Sequence, residues 1–580
     1  MVSIETQLTQ KVYSAFQALG FQDQRAAATV KASDRPDLSD YQCNAALSIG
    51  KKIGQNPQEI AIDLQKHLSG ALPDVKIFVA GPGFLNFKLS DQFLRNALKR
   101  SSKIPKVPLE TVIFDYGGPN VAKPLHVGHL RSGIIGECLK RLYRYKGHPV
   151  IADIHLGDWG TQMGMLIIAL KHKHPDLPYF DSSFQGPYPE KSPVSLEGLQ
   201  EIYPEISAAC AANESLAAEA REATYELQQG RPGYRALWQH FVTISMEDMK
   251  KNFGRLGVSF DQWFGESRYQ QRIPELIQSF ERKGVVQESQ GALVISLVEE
   301  EDKKEMPPLI LKKSDGGFLY STTDLATLDE RVHTFKADHI IYVVDGRQSL
   351  HFEQVFRAAK KLGYTVKTDF IGFGTMNGAD NKPFKTRLGG TMRLEDLIDS
   401  LKEEALRKMS ETSEKDNFSE DEREEIAEKI GIAALKFADL QHNPVQNYQF
   451  DLKKFMSFEG KTGPYLLYAL VRVMSILEKS DIKTPSLKGE VLLSQERDTL
   501  LKTLQAEEVI DRAYKNLSPH ILCDYAFELA QTFSRFYQAC PILHEEDKTK
   551  KETRLFLCEQ VSKTLNTILN LLGIMPVSKM

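Results

Sequence analysis

The chain has 580 residues, of which 42% are hydrophobic and 26% charged, and its formal net charge is −4. This composition is ordinary for a folded protein of several domains, and it argues against a uniformly basic nucleic-acid binder, although local basic patches remain compatible with it. The six cysteines show no CxxC spacing, which predicts a reduced protein with no metal site of that kind. No apolar run reaches membrane-spanning length and no targeting segment is recognisable, so we expect a cytoplasmic protein.

Residues 1–100 are predicted to form a small α+β domain. Apolar side chains recur at helical spacing over the first 20 residues, which predicts an amphipathic helix. Further along, two alternating runs, Val75–Val79 and Leu85–Leu89, flank a Gly-Pro-Gly turn and predict a β-hairpin.

The segment Ser39–Leu47 of this domain combines polar and aromatic side chains. Tyr41, Gln42 and Asn44 are residue types that stack on and hydrogen-bond to unpaired bases, which makes them candidates for contact with RNA. The alternative is a helix N-cap region with ordinary surface side chains, and the pattern leaves both interpretations open.

The stretch Phe114–Glu137 is the feature around which the chain is organised. An alternating run, Thr111–Tyr116, predicts a strand that ends in glycines and a proline before a helical pattern begins at Leu130. A strand, a glycine-bearing turn and a helix N-terminus together offer unpaired N–H groups and a positive dipole end to a phosphate.

Two histidines, His126 and His129, stand at this predicted helix start with Gly128 between them. Their spacing lets both side chains face one ligand, and the glycine leaves room for a flat base to approach the backbone. Such a pair is more often made of surface or capping residues, because a short HxGH match also arises by chance.

The longer string PNVAKPLHVGHLRS, from Pro119 to Ser132, is far more specific. It resembles the signature of class I aminoacyl-tRNA synthetases, in the form typical of arginyl-tRNA synthetases. Later segments, among them HLGDWGTQMG, VSFDQWFGES and GGFLYSTTD, are similar to the same family and follow in its order, so that the resemblance covers essentially the whole chain.

The predicted catalytic domain, residues 108–400, contains two β-α-β units. The strand Val150–Ile154 runs into HLGDWGTQMG, and GGFLYSTTD precedes a helix predicted over Leu325–Thr334 and the buried strand Asp338–Gly346.

Between the two β-α-β units we expect an insertion at about residues 175–270, which includes a helix predicted over Ser207–Gln229. The fold class is therefore predicted as α/β, with a split Rossmann-type catalytic domain between the N-terminal α+β domain and a C-terminal all-α helical domain at 430–580.

A glycine-containing segment, Phe373–Ile398, carries Lys382, Lys385 and Arg387 close together. A flexible loop with several cations is suited to closing over a triphosphate as charge moves onto pyrophosphate. Its sequence PFKTR departs from the KMSKS signature of class I synthetases, and the resemblance implies that Lys123 takes over from the missing lysine. The sequence leaves open which of the three lysines stabilises the transition state.

Matched position by position, the resemblance implies a complete set of site residues. The implied catalytic residues are Lys123, His126, His129 and Lys385. The implied ATP-binding residues are His126, Gly128, His129, Lys382 and Lys385. The implied arginine-binding residues are Asp115, Asn120, His129, Tyr320, Asp324 and Gln348. A planar guanidinium with five donors needs fixed acceptors, so we expect Asp324 and Tyr320 to bind it, while Asn120 and Gln348 hold the amino and carboxylate end.

The C-terminal region is predicted to be helical and resembles the anticodon-binding domain of the same family. Tyr465, Tyr468, Phe536 and Tyr537 are aromatic residues that could stack on loop bases, and the alternative is that they fill the helical core. With Tyr41, Gln42 and Asn44, Tyr465 completes the implied tRNA-binding residues. The family usually carries arginines where this chain has Gln441–Pro444, so no RNA contact is expected there.

The function implied is ATP-dependent activation of L-arginine to arginyl-adenylate and its transfer to the terminal ribose of tRNA(Arg). Mg²⁺ is expected to accompany ATP, the protein itself is expected to hold no metal, and the family is often monomeric. The alternatives are a paralogue that joins small molecules or transfers nucleotides without charging tRNA, and a non-catalytic arginine- or RNA-binding regulator. The tRNA-facing terminal domains argue against the first alternative, and the intact His126, His129 and Lys123 argue against the second.

Overall fold

The structure is a computed structural model, and it describes residues 3–21, 28–100, 108–304, 306–314, 316–378, 380–382, 392–411, 418–488 and 492–580. The helices are α1 Ile4–Ala18, α2 Ala45–Ile53, α3 Pro57–Ala71, α4 Asp91–Arg100, α5 Val127–Tyr145, α6 Thr161–Lys173, α7 Leu196–Ala212, α8 Glu214–Gln228, α9 Pro232–Arg255, α10 Ile273–Arg282, α11 Tyr320–His333, α12 Ser349–Lys361, α13 Leu394–Ser410, α14 Glu420–Leu440, α15 Leu452–Phe455, α16 Gly463–Glu478, α17 Ser494–Leu504, α18 Ala506–Lys515, α19 His520–Ala539 and α20 Lys548–Leu571.

The strands are β1 Val30–Ala32, β2 Tyr41–Cys43, β3 Val75–Ala80, β4 Phe84–Leu89, β5 Val112–Tyr116, β6 Val150–Asp153, β7 Val286–Ser289, β8 Ala292–Ile295, β9 Leu309–Lys312, β10 His339–Asp345, β11 Lys367–Phe373, β12 Met376–Asn377 and β13 Tyr448–Gln449. Short 3₁₀ turns lie at Glu266–Tyr269 and Gly346–Gln348. Within the described residues, no helix is both long enough and apolar enough to cross a membrane.

The chain divides into two compact units. The first contains Met1–Val107, Phe458–Asn570 and Met575–Met580, and the second contains Pro108–Ser457 with Leu571–Ile574. This grouping places the predicted N-terminal domain and most of the predicted C-terminal domain in one unit. The division into domains at 1–100, 108–400 and 430–580 stays a prediction.

The first unit combines an antiparallel sheet with helices. The sheet has the order β1-β2-β4-β3, and its β3–β4 pair is the predicted hairpin, closed by glycines with positive φ angles at Gly81 and Gly83. The apolar stripe of α1 is buried as its spacing predicts. Arg497 of α17 donates to Asp40 at 2.6 Å and to the Leu89 carbonyl at 2.6 Å, which fixes the sheet to the C-terminal helices by a buried ion pair.

The second unit is built on a parallel sheet with the order β11-β10-β5-β6. Parallel strands joined through helices form the Rossmann-type fold that the sequence predicts, and the predicted fold class is confirmed. A separate antiparallel sheet, β7-β8-β9, and a helical core made by α6–α9 lie between the two halves of the nucleotide-binding fold in sequence. The helical core covers most of the predicted insertion.

Three predicted helix boundaries were wrong. Helix α5 begins at Val127 and not at Leu130, because the His126 side chain caps it. Helix α11 begins at Tyr320 and not at Leu325. The predicted single helix 207–229 is part of two helices, since the side chain of Asn213 accepts from the backbone of Ser215 and Leu216 and starts α8 there.

Candidate functional site

The predicted motifs meet at one edge of the parallel sheet. Strand β5 ends before Gly117, β6 ends before the segment His155–Gly164, β10 ends in the turn Gly346–Gln348, and β11 ends before Gly374. All four are carboxyl ends of parallel strands, and the crevice outside such ends is where open α/β sheets bind their ligands. This edge is therefore the candidate active site.

Helix α5 is held against the sheet by a hydroxyl and a glycine. The Ser132 hydroxyl accepts from the Gly117 N–H at 2.7 Å and donates to the Val343 carbonyl at 2.6 Å, so it joins α5 to β5 and β10. At Gly136, a Cβ atom would lie 2.3 Å from the Tyr116 ring, so only glycine permits this close approach of helix and strand. The helix N-terminus consequently has a fixed position above the sheet edge.

Arg131, on the next turn of α5, belongs to the conspicuous string Pro119–Ser132. Its buried guanidinium donates to Asp439 at 2.7 Å, to the Gly374 carbonyl at 2.8 Å and to the Gln446 carbonyl at 2.9 Å. The arginine thus connects α5 to the end of β11 and to α14. These contacts fix the packing of α5 on its neighbours, so we assign Arg131 a structural role.

His126 and His129 form the N-terminus of α5 itself. The Gly128 N–H donates to Nδ1 of His126 at 3.0 Å, and the His126 N–H donates to Nδ1 of His129 at 3.2 Å. The rings stack with centroids 4.0 Å apart. Because both Nδ1 atoms accept, each ring in its neutral form carries its proton on Nε2, which leaves two N–H donors for a ligand.

Burial keeps this histidine pair neutral. Desolvation, then the charge of His126 and that of Lys123, lowers the pKa of His129 to about 3. Burial and the charge of Lys123 also lower the pKa of His126. Neutral imidazoles at a helix N-terminus act as hydrogen-bond donors to phosphate without needing a proton of their own to be added.

Lys123 lies beside these histidines in the turn that follows Asn120. Its ammonium nitrogen lies 4.7 Å from the ring centroid of Tyr203 on α7, a cation–π contact that joins the turn to the insertion. Ala122 has a φ of 65°, which gives the turn its left-handed bend. The lysine is half-buried, and its charge depresses the pKa of both histidines, so its ammonium is close to them.

The cationic loop is described only at its two ends. Lys382 is exposed in a turn in which the Gly378 N–H donates to the Lys382 carbonyl at 2.8 Å. At the other end, the Val127 N–H donates to the Met392 carbonyl, and the Leu394 N–H donates to the Leu125 carbonyl at 2.9 Å. The loop therefore returns directly to the start of α5. Lys385 and Arg387 lie outside the described residues.

Tyr320 and Asp324 lie one turn apart at the start of α11. Asp324 is half-buried and its Oδ2 lies 2.6 Å from Nε2 of His351 on α12. Tyr320 is 64% exposed, and its hydroxyl lies beside Gly160 of the GDWG loop. The two side chains thus share a helix face at the edge where β6 ends.

Glu266, which the sequence analysis did not select, joins this group. It follows Gly265, against which the Asp158 carboxylate packs, and its N–H donates to the Leu156 carbonyl at 3.0 Å. Burial, together with the nearby charges of Asp324 and Asp158 and opposed by that of His155, raises the pKa of Glu266 to about 7. The segment FGES carried a family resemblance, but its carboxylate could be assigned to the site only once the fold was known.

Asp115 was predicted to bind arginine, and the structure shows it bound to the chain's own arginine. Its Oδ2 accepts from Arg331 at 2.6 Å, and Asp153 accepts from the same guanidinium at 2.7 Å. The three side chains are buried, and burial is the largest cause that raises the pKa of Asp115. Because Oδ2 of Asp115 already accepts from Arg331, this oxygen is not available to the guanidinium of a substrate, and the carboxylate instead stabilises the buried residues below the site.

Asn120 and Gln348 lie at the same sheet edge. Asn120 pairs by a β-bridge with Gly157, and its side chain occupies the space that a Cβ atom at Gly157 would need. Gln348 is exposed at the end of the 3₁₀ turn that follows β10. Asn120 thus lies against the loop whose Gly160 is beside the Tyr320 hydroxyl, and Gln348 directly precedes the helix whose His351 is bonded to Asp324.

Comparison with known proteins gives a consistent answer along the chain. The family model "tRNA synthetases class I (R), catalytic domain" matches residues 93–452, "DALR anticodon binding domain" matches 466–580, and "Arginyl tRNA synthetase N terminal domain" matches 4–89. The chain is 45% identical to the arginine–tRNA ligase of Alkaliphilus oremlandii and 44% identical to that of Hyphomonas neptunium, covering 99% of both chains in each comparison.

The chain belongs to the class I arginyl-tRNA synthetase family. Among solved structures, it is similar to arginyl-tRNA synthetase from Plasmodium falciparum, with a TM-score of 0.84 and 25% identity over 100% of this chain and 99% of that one. The Thermus thermophilus arginyl-tRNA synthetase has the same fold, with a TM-score of 0.81 and 23% identity over the full length of both chains. The predicted activity, ATP-dependent arginine–tRNA ligation, is confirmed, and nothing in these comparisons supports a paralogue without tRNA charging.

In the first unit of this arginyl-tRNA synthetase, the predicted exposure of Tyr41 was wrong. The side chain is fully buried, and its hydroxyl lies 3.0 Å from both carboxylate oxygens of Glu508 on α18. Tyr41 is at one of the alternate positions of strand β2 whose side chains face the core, so its side chain is buried. Its ring therefore cannot stack on a base. Gln42 is half-buried and Asn44 is exposed, and their contacts with tRNA stay predictions.

Helices α16 and α19 carry an exposed aromatic group in the family's DALR region. The Arg472 guanidinium lies 5.0 Å from the Tyr468 ring and 5.2 Å from the Tyr537 ring. Tyr465 is half-buried against Phe527, with ring centroids 5.6 Å apart, and Phe536 is buried. The accessible flat surfaces in this region are therefore those of Tyr468, Tyr537 and, at its edge, Tyr465.

Proposed function

We propose that this enzyme activates arginine with ATP at the carboxyl edge of its parallel sheet, using the residues described above. The Nε2–H groups of His126 and His129 and the N-terminus of α5 bind the phosphates, since they present fixed donors and a positive dipole end. Lys123 and Lys382 neutralise the charge that develops on pyrophosphate, together with Lys385 of the same loop. The cation–π contact to Tyr203 supports Lys123, because it holds the ammonium close to the histidines.

Mg²⁺ is assigned to the nucleotide substrate, with which it enters the site. Within the described residues, no group of three or more histidine, cysteine, aspartate or glutamate side chains could hold a metal ion. A cation that arrives with ATP would neutralise the phosphates, as it does in other phosphoryl-transfer sites.

The substrate guanidinium is bound by Asp324, Tyr320 and Glu266. Two carboxylates and a phenol suit a planar cation with five donors, because charge-assisted bonds are the strongest hydrogen bonds in proteins. Asn120 and Gln348 hold the amino and carboxylate end of arginine. The juxtaposition of Asp324 with Glu266, from separate segments of the chain, is the observation that carries this assignment.

In this geometry the enzyme aligns reactants and stabilises charge. A carboxylate oxygen of arginine attacks the α-phosphorus of ATP, the bond from that phosphorus to the bridging oxygen breaks, and pyrophosphate leaves. The terminal 2′-hydroxyl of tRNA then attacks the carbonyl carbon of the adenylate, loses its proton and displaces AMP. The protein supplies positioned donors at each stage and forms no covalent bond.

For the tRNA, we assign the anticodon bases to Tyr468, Tyr537 and Tyr465, whose exposed rings suit base stacking. Gln42 and Asn44 are assigned to unpaired bases elsewhere in the tRNA. A monomer in the cytoplasm is part of the proposal, supported by the family resemblance.

The test is ATP–pyrophosphate exchange with each amino acid, with and without tRNA(Arg), followed by aminoacylation of tRNA(Arg). We expect exchange with arginine in the presence of tRNA(Arg), and formation of arginyl-tRNA. Exchange without any transfer to tRNA would instead favour the small-molecule ligase, and neither activity would favour the non-catalytic regulator.

A further inference from the structure

We propose that His351 is a positioning residue for the arginine site, and that His351 releases a proton to solvent when the guanidinium of arginine binds Asp324. His351 Nε2 and Asp324 Oδ2 are 2.6 Å apart, so the imidazole holds one oxygen of the carboxylate and leaves the other for substrate. This inference rests on the proposed role of Asp324 in binding arginine.

The pair is built by packing between two helices. Asp324 is on α11 and His351 is on the first turn of α12, and the His351 ring packs edge-on against Phe352 with centroids 5.3 Å apart. The His351 side chain is 33% exposed and the Asp324 side chain 18%, so the contact is partly shielded from water. Residues 27 positions apart in sequence thus form one fixed unit.

The charges around the pair determine when the proton is present. Among the described residues, Glu266, from the turn after Gly265, and Tyr342, on β10, are titratable groups whose charges interact with that of Asp324. The hydrogen bond to Asp324 is the largest cause that raises the pKa of His351, and burial opposes it. Without arginine, His351 therefore stays protonated and paired with Asp324 up to a higher pH than the one at which a free histidine loses its proton.

The arginine side chain and the His351 imidazolium are both cations that bind Asp324. Arginine does not lose its own proton, since a guanidinium stays charged in proteins. When it binds Asp324, two cations share one carboxylate, and the imidazolium is the one that can become neutral. His351 then loses its Nδ1 proton to solvent and keeps the Nε2–H bond to Asp324. Arginine binding should consequently release a proton, and the KM for arginine should fall as the pH rises through the His351 titration.

Glu266 should also release a proton when arginine binds, so it changes the pH dependence of the arginine KM in the same direction as His351. Its pKa of about 7 means that a guanidinium also favours the loss of the Glu266 proton. The two contributions have to be separated by variants. His351→Gln keeps an amide donor where Nε2 lies but cannot titrate, and Glu266→Gln removes the other titrating group.

The experiment measures the KM for arginine in aminoacylation of tRNA(Arg), at saturating ATP, across neutral pH. We expect His351→Gln to flatten the pH dependence of this KM while the KM for ATP stays within about twofold. A residue with a purely structural role would change KM and kcat equally at every pH. An unchanged pH dependence in His351→Gln would overturn the proposal.

A second measurement does not depend on how well His351→Gln folds. The heat of arginine binding, measured in buffers of different ionisation enthalpy, counts the protons released. The Glu266→Gln enzyme should still release a proton, and release of none would overturn the role of His351.

Asp324→Asn tests the role of Asp324 in arginine binding separately from the role of His351. If it leaves the KM for arginine unchanged, the assignment of Asp324 fails and the inference falls with it. If it raises that KM at least about tenfold, a loss near 1.4 kcal/mol, the site assignment stands and the His351 results decide the inference alone.

Discussion

His126 and His129 cap their own helix with their Nδ1 atoms, and this leaves both Nε2 atoms for a ligand. One nitrogen of each ring thus has a structural role, and the other is the nitrogen that we propose binds phosphate. Burial is the largest cause that lowers the pKa of both rings, and the charge of His126, whose ring stacks on that of His129 at a centroid distance of 4.0 Å, lowers the pKa of His129 further.

We expect that substitutions can separate the two roles of His129, the helix cap at Nδ1 and the proposed phosphate donor at Nε2. His129→Asn places an oxygen acceptor near the position of Nδ1 but removes the Nε2–H, so we expect melting within a few degrees of the wild type and kcat for ATP–pyrophosphate exchange lower by about 10²-fold. His129→Gln keeps a donor near Nε2 and loses the cap, so it should show the opposite pattern. Equal effects of both substitutions on kcat would contradict the separation.

Asp324→Ala should raise the KM for arginine far more than the KM for ATP. Removing a carboxylate that bonds a buried guanidinium costs about 2–4 kcal/mol, which corresponds to about 30-fold or more in kcat/KM for arginine. Steady-state aminoacylation with each substrate varied in turn measures the difference. Asp176→Ala, which removes an exposed carboxylate from the same unit, serves as the matched control, and equal losses for arginine and ATP would exclude Asp324 from this role.

Arg131→Met should destabilise the second unit strongly. It leaves Asp439 buried without its cation and frees two backbone carbonyls, at an expected cost of about 3–5 kcal/mol. Urea unfolding followed by fluorescence measures the loss, and adding Asp439→Leu to Arg131→Met should recover part of it. Arg144→Met, which removes a cation from the exposed pair with Asp261, should cost about 1 kcal/mol or less. Similar losses for the two arginine substitutions would contradict the structural role of Arg131.

Glu508→Gln should change how the stability of the first unit depends on pH. Burial is the main cause that raises the pKa of Glu508 to about 8, so the folded state prefers the neutral acid. The wild type therefore loses stability as the pH rises from about 4.5, the ordinary glutamate value, to about 8, by up to about 1.4 kcal/mol per pH unit. Glutamine stays neutral and still accepts from Tyr41 and the Glu5 N–H, so its unfolding midpoint should depend less on pH over this range. A parallel pH dependence in both proteins would show that Glu508 is charged when folded.

Much of this protein could be inferred from its sequence because the chemistry is carried by local patterns. A strand, a glycine turn and a helix start between Thr111 and Leu130 predict from neighbouring residues alone the geometry that we propose binds phosphate. Alternation and helical spacing likewise predicted the hairpin and the parallel strands, and the order of the motifs came from the resemblance to the family. These features depend on backbone preferences within a few residues, which the sequence states directly.

Only the tertiary structure decided which polar side chains are free to act. Asp115 and Tyr41 belong to the predicted residue types, yet the first is bound by Arg331 and the second is buried on Glu508. Glu266 and His351 reach the site from segments that share no local pattern with Asp324. A side chain's availability depends on partners that are distant in sequence and on the water that packing removes, and neither is determined until the chain has folded.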